Sequence, residues 1–530
     1  MSPLSAAWPA SFFGTVMAAL AITATASGAP VAPAKSQPVK GFADTHLHQM
    51  ADLAWGGGFI WGKHDGPQSK ALPVCSGGND HGFLLGEGTF GFHGKRRDGY
   101  PTFNGWPRWD AVSHQTVHAD WLKRAHQRGL SLVVMSAGND EPFCDVIPKK
   151  FRKWECNDMA AVDRMVDAAH NFARVHPWYE IARTPGDARR IINQGKLAVV
   201  LSIEVGELFG KRDWEASLDR YYKKGVRTMG LTHLLNSRFS ATAVMPRDSR
   251  VIELIERVQS GKVAYPIKRS ESGFNADGLT ADGKKLVRAM MARKMLVDTA
   301  HMSRRAFDDT FDLARENRFY PVYRSHGYLK EIMVPEKQEG DERLSPASLV
   351  ARIKKTGGVF GLRTGAEEML TYRKSGVANN CHGSSRSFAQ QYQLAAIGLK
   401  VPVAFGSDLN GLIAQMAPRF GDPKEACEGA YDFEREAQQR AQGKAATQGL
   451  GSEFDTKGFA RVDLMADVVA DLKRLGVDTA NIENSAEAFI AMWERAYDEK
   501  RGALPDDVDV SGVAPYEDKK VRRKASRNDE

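Results

Sequence analysis

Two histidines, His46 and His48, close the segment Asp44-Thr45-His46-Leu47-His48. Side chains alternate along an extended strand, so both imidazoles would leave the same face. Paired imidazoles suit zinc and similar divalent ions. Further along, Glu204, His233, His301, His326 and Asp408 each stand at the C-terminal end of a short apolar run. Neutral nitrogen and anionic oxygen donors, with a carboxylate to move a proton, are the parts that metal-assisted hydrolysis needs. Each residue alone has a plainer reading. A lone strand-end histidine is more often a hydrogen-bonded rim residue, and an isolated HxH is more often structural. The chemistry gains weight if the fold brings all of them to one rim. Three histidines and Glu204 would then fill one site, and the fourth histidine with a shared carboxylate would make a second.

The runs that must position these residues are Gly41–His48, Leu130–Ala137, Leu197–Glu204, Val226–His233, Met295–His301, Tyr320–His326, Gly357–Leu362 and Val401–Asp408. Most are near-continuously apolar, as strands of a parallel sheet covered on both faces are. Helical stretches alternate with them. Thr280 is a fitting N-cap for a helix carrying Leu286, Val287, Met290 and Met291. Ser345-Pro346 reads as an N-cap followed by proline at the first helical position, and Gly225 as a stop after Leu218, Tyr221 and Tyr222. Phe307, Phe311 and Ala314 form the apolar stripe of a further helix. Eight strands alternating with helices predict an α/β fold, a (β/α)8 TIM barrel. The alternative is an open doubly wound sheet, but no GxGxxG opens a helix and no Walker A motif occurs. In a barrel the C-terminal strand ends face the active site. Four strands then deliver five histidines and two more deliver Glu204 and Asp408, so six of the eight reach one rim.

Composition excludes little else. The 530 residues hold 73 Lys and Arg against 65 Asp and Glu, a formal charge of +8. Both signs are interspersed, and the tail 517–530 supplies part of the excess, with six basic against four acidic residues. The basic run Lys519–Lys524 therefore reads as a solvated tail, and no nucleic-acid partner is expected. Hydrophobic residues at 42% and charged residues at 26% are globular proportions. Five cysteines without a CxxC pair exclude a disulfide-built scaffold and a zinc ribbon, and their odd number leaves at least one thiol in a monomer.

Residues 1–34 carry no charge, and Ser11–Ala24 is apolar, with small-residue cleavage sites ending at Ala26 and Ala29. This reads as a signal peptide and leader of an exported, periplasmic or secreted protein, although it lacks a basic start. Export would allow a disulfide, with Cys144 and Cys156 the closest pair. No transmembrane anchor is expected. One hydrolase barrel over 35–505 should follow, with a Gly-rich aromatic loop insertion at about 55–118, a polar insertion at about 434–458 and a disordered charged tail at 506–530. The first loop leaves the active face and either walls the pocket or packs as an ordinary surface loop. Its His64, His81 and His93 are not expected to be ligands.

The residues resemble the amidohydrolase superfamily, and within it the membrane (renal) dipeptidase family, peptidase family M19. The resemblance lies in DTHLH at 44–48, VVLSIEVG at 199–206, GVRTMGLTHLLN at 225–236 and GLTADGKKLVRAMMARKMLVDTAHMS at 278–303. RSHGY at 324–328, ERLSP at 342–346 and AFGSDLNG at 404–411 continue it in order, and Arg461–Ala496 resembles the closing helices. It implies two divalent ions, zinc by their donors. His46, His48 and Glu204 would hold the first ion, and Glu204, His301 and His326 the second, with Glu204 bridging. It further implies that His233 contacts the substrate near the scissile carbonyl, that Asp408 handles protons and that Arg343 holds a substrate carboxylate. The implied reaction is hydrolysis of the amide bond of short peptides by a hydroxide held between the metals. The chain departs from the family at His48, where HxD is usual. That leaves room for other amidohydrolase substrates, such as an N-acyl amino acid, a lactone or a phosphoester. A catalytically dead binding barrel is a further alternative, and homodimer formation stays open.

Overall fold

The computed structural model describes residues 37–75, 98–245, 265–422, 426–428, 432–442 and 449–515. Nine parallel strands run through them: β1 (Phe42–Leu47), β2 (Leu130–Asn139), β3 (Tyr179–Ile181), β4 (Leu197–Val205), β5 (Val226–Gly230), β6 (Leu296–Asp298), β7 (Val322–Gly327), β8 (Phe360–Leu362) and β9 (Val403–Phe405). Their order is β2-β1-β9-β8-β7-β6-β5-β4-β3, and pairing of β2 with β4 from Leu132↔Ala198 to Asn139↔Val205 closes the ring. All eight expected strands are present, and the fold is the expected (β/α)8 barrel. The short extra strand β3 pairs with Leu197–Val199 at the start of β4, ahead of the stretch that pairs with β5.

Burial explains the apolar runs. Every residue of β1 and β4 is buried, because one face fills the barrel and the other meets the helices. The helices begin where the sequence says they should. Thr280 Oγ1 accepts from the Gly283 amide at 3.0 Å to cap the helix Ala281–Ala292. The helix Trp214–Lys223 ends before Gly225, whose φ of +98° favours glycine. The helix Ala347–Lys355 differs slightly from expectation: Pro346 is its N-cap and Ser345 lies outside it. Ser485–Tyr497 closes the barrel beside β1, where Ser485 Oγ accepts from the Ala43 amide at 2.7 Å.

Two disulfides are formed, Cys144–Cys156 and Cys381–Cys427, each with Cα atoms 5.5 Å apart. The polar insertion contains the helix Phe433–Ala441. Residues 506–515 differ from the expected disordered tail. Asp506 pairs with Lys355 at 2.8 Å, Asp507 with Lys354 at 2.9 Å and Lys400 at 2.8 Å, and Asp509 with Lys374 at 2.7 Å. Basic side chains scattered over the preceding 150 residues or so hold this acidic strip in place. The leader 1–34 with its cleavage sites, His81 and His93 of the first loop, and Lys519–Lys524 lie outside the described residues. Among the described residues no helix is long and apolar enough to cross a membrane.

Candidate metal centre

The strand ends are shorter than the apolar runs, and this changes how three site residues are carried. β5, β6 and β9 each stop three residues before His233, His301 and Asp408. These residues sit on turns, and His301 and Asp408 adopt left-handed φ values of +60° and +52°. Such backbone costs an ordinary residue about 1 kcal/mol and persists only where the surroundings impose it. Two buried aspartates do so. Asp298 Oδ1 accepts from the amides of Ala300 at 2.9 Å and Ser325 at 3.0 Å, tying the His301 turn to the strand of His326. Asp44 Oδ1 accepts from the amides of His46 at 3.0 Å and Ser407 at 3.1 Å, tying His46 to the Asp408 turn. Burial pushes the Asp44 carboxyl up to about 6, against the Ser407 and His46 hydrogen bonds that pull it down.

All the expected ligands meet at the centre of the rim. His46 Nε2 lies 2.9 Å from His48 Nε2 and 3.0 Å from Glu204 Oε2. His48 Nε2 lies 3.4 Å from that same oxygen. The other Glu204 oxygen, Oε1, lies 3.3 Å from His301 Nε2, which is 2.9 Å from His326 Nε2. Glu204 therefore presents one oxygen to each histidine pair. Asp408 joins the first pair, with Oδ1 at 3.3 Å from His48 Nε2 and 3.8 Å from His46 Nε2. Donors around one tetrahedral zinc, each about 2.0–2.1 Å from it, stand roughly 3.3 Å apart, so the spacing fits coordination. Three trios lie within reach of a common ion: His46, Glu204 and His326; His46, His48 and Asp408; and Glu204, His233 and His301.

Electrostatics point the same way. Burial, then the positive charge of His233, holds His301 well below the usual histidine range, and burial with His46 does the same to His326. Although burial opposes ionisation, His46 and His233 hold the Glu204 carboxyl well below its ordinary value. Burial also disfavours the charge on His48, but its hydrogen bonds to Asp408 and Glu204 win and push it up to about 9. His301 and His326, neutral beside the ionised and buried Glu204, are donors that a divalent cation completes, whereas His48 has to give up a proton first.

A cavity of about 380 Å³ opens over these groups. Arg343 lines it, but its guanidinium already forks onto Asp341, with Nε to Oδ1 at 2.8 Å and Nη2 to Oδ2 at 2.7 Å. Sequence reasoning missed two neighbours. Asp140 hydrogen-bonds His233 Nδ1 and leaves its Nε2 toward Glu204 at 3.9 Å. Arg363 Nη2 donates to Asp408 Oδ2 at 2.7 Å and, against the burial penalty, holds that carboxyl far below its usual range. The strand-end rule could have found both, because Asp140 and Arg363 directly follow β2 and β8, the two strands to which no function was assigned. His64, expected not to be a ligand, pairs with Asp52 at 2.8 Å away from the centre.

The family described as membrane dipeptidase (peptidase family M19) matches residues 104–425. A curated protein of Acinetobacter calcoaceticus, an uncharacterized protein in the PQQ-III 3′ region, is 26% identical over 161 residues, 30% of this chain. That match spans 42% of the relative's own length. Among solved structures, the dipeptidase AC, a metallopeptidase of family M19, is 13% identical with a TM-score of 0.46, covering 72% of this chain and 89% of its own. A metallopeptidase from Rhodobacter sphaeroides liganded with a phosphinate mimic of the dipeptide L-Ala-D-Ala has the same identity and TM-score, with 72% and 90% covered. The probable dipeptidase PvdM from Pseudomonas aeruginosa is 15% identical with a TM-score of 0.42, covering 71% and 88%. With more than half of its length matched by the family, this chain belongs to the membrane dipeptidase family, peptidase family M19.

Proposed function

We propose that this chain is a zinc-dependent dipeptidase that hydrolyses the amide bond of short peptides with a free C-terminus. The observation that carries the reading is Glu204, whose two oxygens face two separate histidine pairs. His46 and His48 with Glu204 would hold one divalent ion, and Glu204 with His301 and His326 a second. Such a pair, when bound, polarises a carbonyl oxygen and makes water acidic near neutral pH. The remaining steps belong to the protein. His233, oriented by Asp140, turns Nε2 toward the centre and donates to the oxygen that gains charge as the carbonyl is attacked. Asp408, kept ionised by Arg363, takes the proton of the attacking water and returns it to the departing nitrogen. The amide C–N bond breaks, the water's hydroxyl ends on the acyl carbon, and the amine leaves protonated. Arg343 would hold the substrate carboxylate, its fork pre-set by Asp341.

Two disulfides support an exported protein, since such bonds persist in oxidising compartments. We expect a small peptide or amide as the partner, without nucleic acid or a membrane anchor, and a homodimer is to be tested by light scattering. The decisive experiment combines elemental analysis with a panel of dipeptides, N-acyl amino acids and lactones. Two bound zinc ions and dipeptide turnover are expected. Absence of both metal and hydrolysis would favour a binding barrel, and turnover of the lactones alone would move the substrate class.

A further inference from the structure

The cavity over the metal centre is lopsided. Its four basic lining residues, Arg324, Lys337, Arg343 and Arg363, all come from β7, β8 and the loops that follow them, and the two carboxylates of those loops, Asp341 on Arg343 and Glu367 on Lys337, leave that side basic on balance. In the ring order, β2 lies diametrically opposite β7. Beyond His48, the loops after β1 and β2 face the cavity with two aromatic rings, Trp55 and Phe143, and with no Lys or Arg among the described residues. A substrate whose carboxylate lies on the basic side and whose scissile carbonyl lies over the histidines must therefore extend its acyl half toward those rings.

The aromatic wall is also built to stay in place. Trp55 and Phe143 meet edge to face with centroids 6.4 Å apart, and Phe59 backs Phe143 at 5.2 Å. The Trp55 amide donates to Asn139 Oδ1 at the end of β2 at 2.7 Å, so the first loop is tied to the second strand. Gly56 O accepts from the amides of Lys153 at 2.7 Å and Trp154 at 3.2 Å, which ties the two loops together. The Cys144–Cys156 disulfide begins at the residue after Phe143 and closes the second loop on itself. A buried, mutually packed pair of rings gives an apolar group a preformed surface and a charged group nothing to pair with. The two carboxylates nearest this side are committed: Asp140 to His233, and Asp408 to Arg363 and His48.

We propose that Trp55 and Phe143 form a subsite for a large apolar side chain on the acyl residue of the substrate, opposite the basic side that takes the carboxylate. This rests on the dipeptidase reading above. The test is a series of Xaa-Ala dipeptides with Gly, Leu, Phe, Asp or Lys first, assayed with the zinc-loaded enzyme. The kcat/KM for Leu-Ala and Phe-Ala should exceed that for Gly-Ala by at least about tenfold, with Asp-Ala and Lys-Ala below Gly-Ala. In Phe143→Ala the Phe-Ala to Gly-Ala ratio should fall by about tenfold. Phe143→Leu, which keeps an apolar side chain and guards against misfolding, should fall less. Hydrolysis of the series without apolar preference, or an unchanged ratio in both variants, overturns the subsite while leaving the dipeptidase reading intact. No hydrolysis of any member by fully zinc-loaded enzyme overturns the dipeptidase reading itself.

Discussion

Gly138 on β2 stands against the His48 ring, and replacing it tests whether that ring is a ligand. A Cβ built there would lie 2.5 Å from His48 Cε1 and 2.8 Å from Nδ1. Carbon atoms in contact stand about 3.5–4.0 Å apart, so the ring would have to retreat by about 1 Å. Gly138 is extended within the strand, and its φ is not among the left-handed ones, so alanine meets no backbone penalty and the clash is the whole effect. Metal–nitrogen distances tolerate about 0.2 Å, which makes a 1 Å retreat enough to break the bond. Overpacking of this kind costs about 1–3 kcal/mol, equivalent to roughly 5- to 150-fold in affinity. Gly138→Ala should therefore bind the first zinc that much more weakly in a competition titration against a chelator, while elemental analysis still finds the second. Gly502→Ala, with nothing within 4 Å of its Cβ, is the control and should titrate like the parent. His48→Asp in the Gly138→Ala background should recover part of the affinity, because a carboxylate is shorter than an imidazole. Two zinc ions bound by Gly138→Ala with unchanged affinity would refute both the clash and the ligand role of His48.

Asp408→Asn should keep bound metal but lower kcat by about 10²- to 10⁴-fold, as loss of a proton carrier does, and full turnover in steady-state assays would sink that role. Asp140→Asn should leave the zinc content unchanged and cut kcat about 10- to 100-fold as His233 loses its fixed orientation; kinetics like the parent's would show that the Asp140 contact does not position the ring. His48 is pushed up to about 9 in the metal-free protein, so below that pH its ring carries a proton that an incoming cation must displace. Zinc affinity should thus climb as pH rises toward 9, about tenfold per unit for each proton released, with acid liberated into weakly buffered solution. Calorimetry showing a flat affinity between about pH 6.5 and 8.5 would contradict it.

The candidate ligands were legible because their chemistry is rare and their carriers are plain. Histidine or a carboxylate at the end of a buried apolar run is an uncommon combination, and six such ends, four of them histidine, could be read without a structure. The eight strands were legible for the same reason, since burial on both faces leaves an unbroken apolar run. What stayed hidden depends on contacts between distant segments. Asp140 and Arg363 are common residue types in polar turns, and nothing in their own sequence shows that one faces His233 and the other Asp408. The three-residue offset of His233, His301 and Asp408 from their strands was hidden as well. The left-handed turns at His301 and Asp408 are tied to neighbouring strands through Asp298 and Asp44. Residues 506–515 read as disordered because acidic composition alone suggests a solvated chain, whereas their lysine partners lie more than 100 residues away in sequence.

His48 joins these threads. As a bare substitution for the family's carboxylate it leaves the donor set one unit more positive. In the fold, two further residues meet the ring. Gly138 clears the volume that the longer ring needs, and Asp408 brings a carboxylate oxygen to 3.3 Å from the ring nitrogen. Arg363 engages the opposite oxygen of Asp408, and Asn410 Nδ2 donates at 2.9 Å to the oxygen that faces the histidine pair. The ring at this strand end is thus met by a residue of the neighbouring strand β2 and by the turn after β9, which the turn after β8 holds through Arg363. This arrangement accommodates an imidazole at position 48.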